Sequence, residues 1–229
     1  YFLQLFKILE LFGYNWAKNL FHLSYGLVNL PEGKLKSREG KIVDADTLMD
    51  DLEKLAKAEV LKRNQKIAEK EVQMRAKKIC LGAIKFFMLK TDVVKDVLFD
   101  PAKAISFEGD SGPYVMYSFA RAKSILRKAT LPKKFDAALL MQEEEKSVLG
   151  KLSKFEETVE QAAKEFAPNK MCNYLLELCA AFNAFYQKVP VLAAESTETK
   201  NARLALVSAT AIAIQNGLRL LNIEALEEM

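Results

Sequence analysis

The 229-residue sequence has one histidine, three cysteines, one tryptophan, six prolines and nine glycines. A single histidine removes most metal sites and any mechanism that needs two imidazoles. The three cysteines (Cys80, Cys172 and Cys179) stand among apolar neighbours with no CxxC, so neither a disulfide framework nor a zinc site is encoded, and the compartment reads as reducing. The few glycines and prolines argue against a collagen-like or low-complexity chain and against a turn-rich β-sandwich. Charge is nearly balanced, with 34 Lys+Arg against 30 Asp+Glu, a formal +4. That balance allows a nucleic-acid partner without demanding one. What remains is an ordinary globular composition, 50% hydrophobic and 28% charged, long enough to bury a sizeable core as one large domain or two smaller ones.

Residue 1 is Tyr, and the opening run Phe2, Leu3, Leu5, Phe6, Ile8, Leu9, Leu11 and Phe12 is apolar on every helical face. It is too short to cross a membrane and lacks the basic leader of a signal peptide. A helix that is apolar all round requires burial on several sides, so this reads as a core helix of a domain whose remainder lies upstream, and the chain as a fragment. Residues 20–28 fit a short buried strand, in which His22 is expected to be a satisfied core histidine. A basic loop follows from Gly33 to Lys41, and Asp44 or Asp46 is suited to cap the next helix, on which Leu48, Leu52 and Leu55 recur at spacings of four and three. The charged stretch 57–78 reads as a solvated helix pair, because opposite charges recur three and four apart. Residues 79–90 read as a buried helix. Residues 91–112 are irregular, with Val97-Leu98-Phe99 as a short extended piece. From Pro113 the chain reads as helices over roughly 113–129, 136–165, 169–187 and 198–221, with Pro132, Pro168 and Pro190 in the breaks. The fold class is therefore mainly α: a short α/β remnant, a helical connector and a C-terminal helical bundle.

Two constellations carry chemistry. In the loop, Lys34, Lys36, Arg38 and Lys41 surround Ser37 between Gly33 and Gly40. Cations on a glycine-flanked loop suit a polyanion such as a triphosphate, where they stabilise charge developing on phosphate oxygens. The GxxxxGK[ST] spacing of a P-loop is absent, and the same pattern also describes a solvated basic loop. On the helix after Pro113, Tyr114, Tyr117, Arg121 and Lys128 fall on one face, with Val115, Phe119, Ala122 and Leu126 on the opposite, core-facing side. Two rings and two cations turned outward suit single-stranded RNA, whose bases stack on aromatics while cations meet phosphates. The alternative is that one or both tyrosines are buried with their hydroxyls satisfied. Glu143-Glu144-Glu145 reads as an acidic helix start rather than a metal site, and no metal ligand set is identified. Leu204, Val207, Ala211, Ile214, Leu218 and Leu221 form a core stripe.

These segments resemble an arginyl-tRNA synthetase. Gly33-Lys34-Leu35-Lys36-Ser37-Arg38-Glu39-Gly40 is similar to that family's G-K-M-S-S-R-K-G, its form of the class I KMSKS loop, and His22-Leu23-Ser24-Tyr25-Gly26 to its H-V-S-Y/F-G strand. Ser106-Phe107-Glu108-Gly109-Asp110-Ser111-Gly112-Pro113-Tyr114 resembles S-F-E-G-N-T-G-P-Y. The segment from Ala202-Arg203-Leu204 to Met229 resembles the anticodon-binding helical domain named for its D-A-L-R motif. The resemblance implies a remnant of a Rossmann-type catalytic domain over 1–45, a stem-contacting helical connector over 46–100 and an anticodon-binding helical bundle over 101–229.

It further implies a parent that uses ATP with magnesium and L-arginine to form arginyl-adenylate and charge arginine tRNA. The implied setting is cytoplasmic, with neither membrane nor DNA as a partner. Lys34, Lys36, Ser37 and Arg38 would meet the ATP phosphates. Lys36 stands where the family has Ser, Leu35 where it has Met, and Glu39 where it has Lys, so the loop charge is redistributed. Residues matching Tyr114, Tyr117, Tyr186 and Met229 approach the anticodon loop in the family; Arg121 and Lys128 join them from the stripe. The H-I-G-H signature and the arginine site are not in this sequence, so the chain alone is expected not to make adenylate. A non-catalytic helical scaffold that binds RNA or protein is the alternative. A complete small enzyme is disfavoured, since no nucleophile–base pair or nucleotide-binding glycine motif is present.

Overall fold

The computed structural model describes residues 1–29, 45–63 and 67–229. Helix α1 (Phe2–Leu11) closes before Gly13, whose φ of +84° is a conformation that glycine reaches without steric cost. None of its side chains is buried. After a 3₁₀ turn at Asn15–Asn19 the chain runs extended to strand β1 (Val28–Asn29), which pairs in parallel with β2 (Val97–Leu98), Val28 opposite Val97.

The buried strand expected over 20–28 is corrected here. Only the last residue of that range joins a ladder, and Phe21, Leu23, Tyr25 and Leu27 are exposed. A ribbon with two paired residues on each strand has no layer to cover its faces. His22 is likewise exposed rather than in the core, stacking on the Phe2 ring at 3.9 Å between centroids. The ribbon is held at one end by Asp96, whose carboxylate accepts from the Leu27 N–H at 2.7 Å.

The charged stretch is shared by two long helices rather than forming a pair of its own: α2 (Ala45–Arg63) takes in the leucine-spaced segment before it, and α3 (Glu69–Leu89) runs on through the helix expected over 79–90. The pair is less solvated than its charge suggests. Leu52, Ala56 and Val60 on α2 and Val72, Ala76, Ile79, Ala83 and Phe86 on α3 bury a stripe at helical spacing. Leu55 stays exposed. Asp46 lies within the first turn of α2 rather than at its cap, and Asp44 lies outside the described residues. Short helix α4 (Pro101–Ala104) is capped by Asp100, whose side chain accepts from the N–H groups of Ala102 and Lys103.

Helix α5 (Gly112–Leu126) begins under Ser111, whose hydroxyl accepts from Tyr114 N–H at 3.1 Å. It crosses α3 closely: a methyl group on Gly112 would sit 2.6 Å from the Gly82 carbonyl oxygen and 2.8 Å from Phe86 Cβ. Val115, Phe119 and Ala122 are buried as the stripe requires, and Met116 and Ser118 are buried too, because helices close on α5 from more than one side.

The single helix expected over 136–165 is instead a 3₁₀ turn (Ala137–Leu139), helix α6 (Glu143–Leu152) and helix α7 (Phe155–Lys164). Two local bonds account for the breaks. Gln142 and Glu145 form a capping box that starts α6 afresh, and the Ser153 hydroxyl donates back to Gly150 O at 3.0 Å as the chain turns. Long helices α8 (Pro168–Lys188) and α9 (Thr197–Leu220) complete the bundle. The predicted α9 stripe is buried throughout, and Gly217 admits the Leu175 side chain where a methyl would lie 2.7 Å from it.

The acidic run at 143–145 does open a helix, but Glu145 has a second role. It is fully buried and pairs with buried Arg203 on α9, Nε to Oε1 2.6 Å. Its other oxygen accepts from Gln142 N–H at 2.8 Å, and the guanidinium also donates to Pro190 O at 3.0 Å. One ion pair thus ties α9 to the start of α6 and to the chain leaving α8. Removing one partner of such a pair strands a buried charge, at a cost of about 3–5 kcal/mol. Arg203→Met is expected to lower unfolding free energy by about that amount, read from urea titration; a loss below about 1 kcal/mol would show that the pair is not formed in solution.

All three cysteines are buried and unpaired. Burial pushes the Cys80 thiol up to about 11 and those of Cys172 and Cys179 up to about 12. The folded state therefore keeps protons that the unfolded chain releases above its ordinary thiol value of 9.0. This contribution is intact below about pH 9 and is lost as pH rises toward 12. The double variant Cys172→Ala/Cys179→Ala is expected to lose less of its urea midpoint than the parent on going from about pH 8 to about pH 10. Parallel losses would contradict burial of the thiols.

Candidate nucleic-acid interface

A groove of about 650 Å³ opens where the second half of α5 faces the end of α8, the segment leaving α8 and the segment that follows α9. It collects Tyr117, Arg121 and Lys128 from α5 and its C-terminal extension, Tyr186 from α8, and Met229. Five of the six residues singled out for RNA contact thus converge from three parts of the chain. Tyr186 is 44% exposed, and Tyr117 and Arg121 are half-buried. Lys128 lies two positions beyond the end of α5, not inside it, and is exposed.

Arg121 is the centre of the arrangement. Its guanidinium carbon lies 4.9 Å from the ring centroid of Tyr117 and 4.9 Å from that of Tyr186, within the range where a cation and a ring face attract. The Tyr117 ring also meets Phe107 edge-on, centroids 6.4 Å apart at 85°. Arg63, at the end of α2, lies 3.9 Å over Phe107. Cations and rings therefore form one contiguous run from the end of α2 into the groove: Arg63, Phe107, Tyr117, Arg121, Tyr186.

Tyr114 does not share this position. One turn before Tyr117 it faces α8, and its hydroxyl accepts from Asn183 Nδ2 at 3.0 Å. Burial raises its phenol above the ordinary value, with the Asn183 bond pulling the other way. The outward stripe thus holds for Tyr117 and Arg121, while Tyr114 belongs to the α5–α8 seam. The periodicity gave its face of the helix but not which helix would cover that face.

The electrostatics contain a part that the helical stripe did not disclose. Glu227 and Glu228 fold back onto the bundle. Glu228 pairs with Arg75 of α3 at 3.2 Å and Arg127 at 3.5 Å, and Glu227 with Lys123 at 2.8 Å. Arg127 also donates to Glu227 O at 3.1 Å. This clip holds Met229 against the core beside the groove. Arg121 and Lys128 make no ion pair among the described residues, so the groove mouth keeps positive charge between Tyr117 and Tyr186. Arg75 and the two glutamates line the groove and Asn183 bonds Arg121 behind it, and sequence spacing did not single out any of the four.

Lys34, Lys36, Ser37 and Arg38 of the basic loop lie outside the described residues. Among the described residues no cluster of three or more His, Cys, Asp or Glu is placed to hold a metal ion, and no helix is long and apolar enough to cross a membrane.

The helical bundle is of the kind found in class I tRNA synthetases: residues 115–229 match the DALR anticodon binding domain family, and residues 1–101 match the catalytic domain of class I (R) tRNA synthetases. The chain is 41% identical to the arginine–tRNA ligase of Treponema denticola and 37% identical to that of Flavobacterium psychrophilum, in each case over its whole length. It covers 40% and 38% of those relatives, so it spans about two fifths of their length. The arginyl-tRNA synthetase of Thermus thermophilus superposes over 96% of the chain and 38% of its own, with a TM-score of 0.88 at 36% identity. That of Plasmodium falciparum shares the fold over 97% of the chain and 38% of its own, with a TM-score of 0.78 at 24% identity. The chain belongs to the arginyl-tRNA synthetase family.

Tyr114→Phe removes the acceptor for a half-buried amide donor and is expected to cost about 1 kcal/mol of unfolding free energy in urea. No change would mean that the Asn183–Tyr114 bond is replaced by water.

Proposed function

We propose that the chain reads the anticodon loop of arginine tRNA as part of a longer arginine–tRNA ligase. The convergence of Tyr117, Arg121, Lys128, Tyr186 and Met229 on one groove is the observation that carries this reading. Unpaired bases of the loop stack on Tyr117 and Tyr186, each stack contributing about 1–3 kcal/mol, while Arg121 and Lys128 meet phosphate or base-edge oxygens. Tyr114 supports the groove from behind rather than entering it.

In this reading residues 1–45 belong to the catalytic body, 46–100 form the connector that meets the tRNA stem, and 101–229 form the anticodon-binding bundle. The exposed apolar side chains of α1 and of residues 21–27 are covered by the rest of the catalytic body, which also supplies the arginine site. Lys34, Lys36 and Arg38 balance charge on the triphosphate, and the Ser37 hydroxyl donates to a phosphate oxygen, while ATP, arriving with its magnesium, and L-arginine form arginyl-adenylate. A loop without the floor that orients ATP does not accelerate that step, so the chain alone is inactive in adenylate formation.

A purely protein-binding scaffold would rely on the apolar side chains of residues 1–28, none of which lines the groove. Titration of the chain with arginine tRNA and with an anticodon-substituted tRNA separates the two. Tighter binding of arginine tRNA is expected, and equal binding at physiological salt would end the base-reading assignment. Tyr117→Ala should lower the preference about ten-fold. Lys128→Ala should weaken both tRNAs alike and reduce the slope of log affinity against log salt by about one.

A further inference from the structure

The Arg121 guanidinium has five donors and a flexible stem, and its position between two rings requires an anchor. Asn183 of α8 supplies one. Its Oδ1 accepts from Arg121 Nη1, and its Nδ2 donates to Tyr114 Oη at 3.0 Å and to Ser118 Oγ at 3.0 Å. The orientation of the amide is dictated rather than chosen. Guanidinium only donates, so the amide oxygen must face Arg121, and the amide nitrogen must find acceptors on its other side. Two hydroxyls provide them. Ser118 Oγ can accept because its own proton is directed to Tyr114 O at 3.0 Å. All the groups involved are half-buried or buried, and three of the four lie on α5.

We propose that Asn183 is a positioning residue for anticodon-loop recognition: it fixes the Arg121 guanidinium between Tyr117 and Tyr186, so that the groove presents its planar cation in one orientation before RNA arrives. This rests on the RNA-reading assignment for its consequence but not for its geometry. Tyr114 and Ser118 hold the amide, the amide holds the guanidinium, and the guanidinium spaces the two rings. Fixing the cation in advance removes the side-chain ordering that binding would otherwise cost.

Two variants test it. Asn183→Leu keeps the approximate volume and removes both the acceptor and the donors. Asn183→Asp keeps the acceptor, and the hydroxyls of Tyr114 and Ser118 can turn to donate to it. In the RNA-free chain, the Arg121 Nε and Nη protons, assigned in ¹⁵N spectra by comparison with Arg121→Lys, should exchange at least about ten-fold faster in Asn183→Leu and remain protected in Asn183→Asp. Unchanged protection in Asn183→Leu would overturn the positioning role.

In the tRNA titration, Asn183→Leu should lose preference for arginine tRNA while the salt slope stays the same, and Asn183→Asp should retain the preference. In an Arg121→Ala background the Leu substitution should cause no further loss of preference; an additive loss would show that Asn183 acts by another route. If the parent chain shows no preference at all, the RNA reading fails, and the exchange measurement still decides whether Asn183 fixes Arg121.

Discussion

Helix α5 packs against α3, α8 and α9 and still leaves one edge to solvent. Much of the molecule follows from that requirement. Where α5 starts there is no room for a side chain, so Gly112 meets the Gly82 carbonyl and the Phe86 side chain of α3. Along its middle Val115, Met116, Phe119 and Ala122 fill the space between neighbours. From Tyr117 onward the wall opens, and there Tyr117, Arg121 and, just past the end of the helix, Lys128 line the groove. The groove is the part of α5 that the bundle leaves uncovered, so Tyr117 and Arg121 stand on a packed helix rather than on a loop.

The pair Glu145–Arg203 does for the other helices what the glycine crossing does for α5. Buried charge is costly unless its geometry is satisfied, so the pair fixes α9 against the start of α6 and the exit from α8 in one register. The exit from α8 is also the segment carrying Val189, Pro190 and Val191 along the groove wall. A bond in the interior thereby anchors part of the wall of a surface feature that neither residue lines.

Apolar periodicity made α5, α9 and the second half of α3 legible, because helices buried on a broad face leave a spacing of three and four that few other structures produce. The same signal failed over 20–28. An apolar run of that length does not distinguish a covered strand from an extended segment with little around it. It failed at 136–165 for a different reason: the break depends on a capping box and on the Ser153 hydroxyl, which are local hydrogen bonds without a hydrophobic signature. For the groove, spacing and resemblance named Tyr117, Arg121, Tyr186 and Met229, which the fold brings together, whereas Tyr114 takes the buried alternative, since helical phase does not say which helix will lie across a given face. Asn183 left no trace beyond being a polar residue one turn before Tyr186 on an apolar helix. Its role depends on Arg121 and Ser118, more than sixty residues away, and only the folded chain brings them together.

The backward fold of Glu227 and Glu228 gives the groove an unusual starting condition. Arg75, Lys123 and Arg127 do not wait in contact with dissolved ions; they already hold carboxylates belonging to their own chain. A polyanion that settled on those three cations would have to evict an internal rival, and that exchange returns less to the surrounding electrolyte than an open basic surface would. The tail acts as a tenant that narrows where such a polyanion could settle, leaving Arg121 and Lys128 as the vacant seats among the described residues.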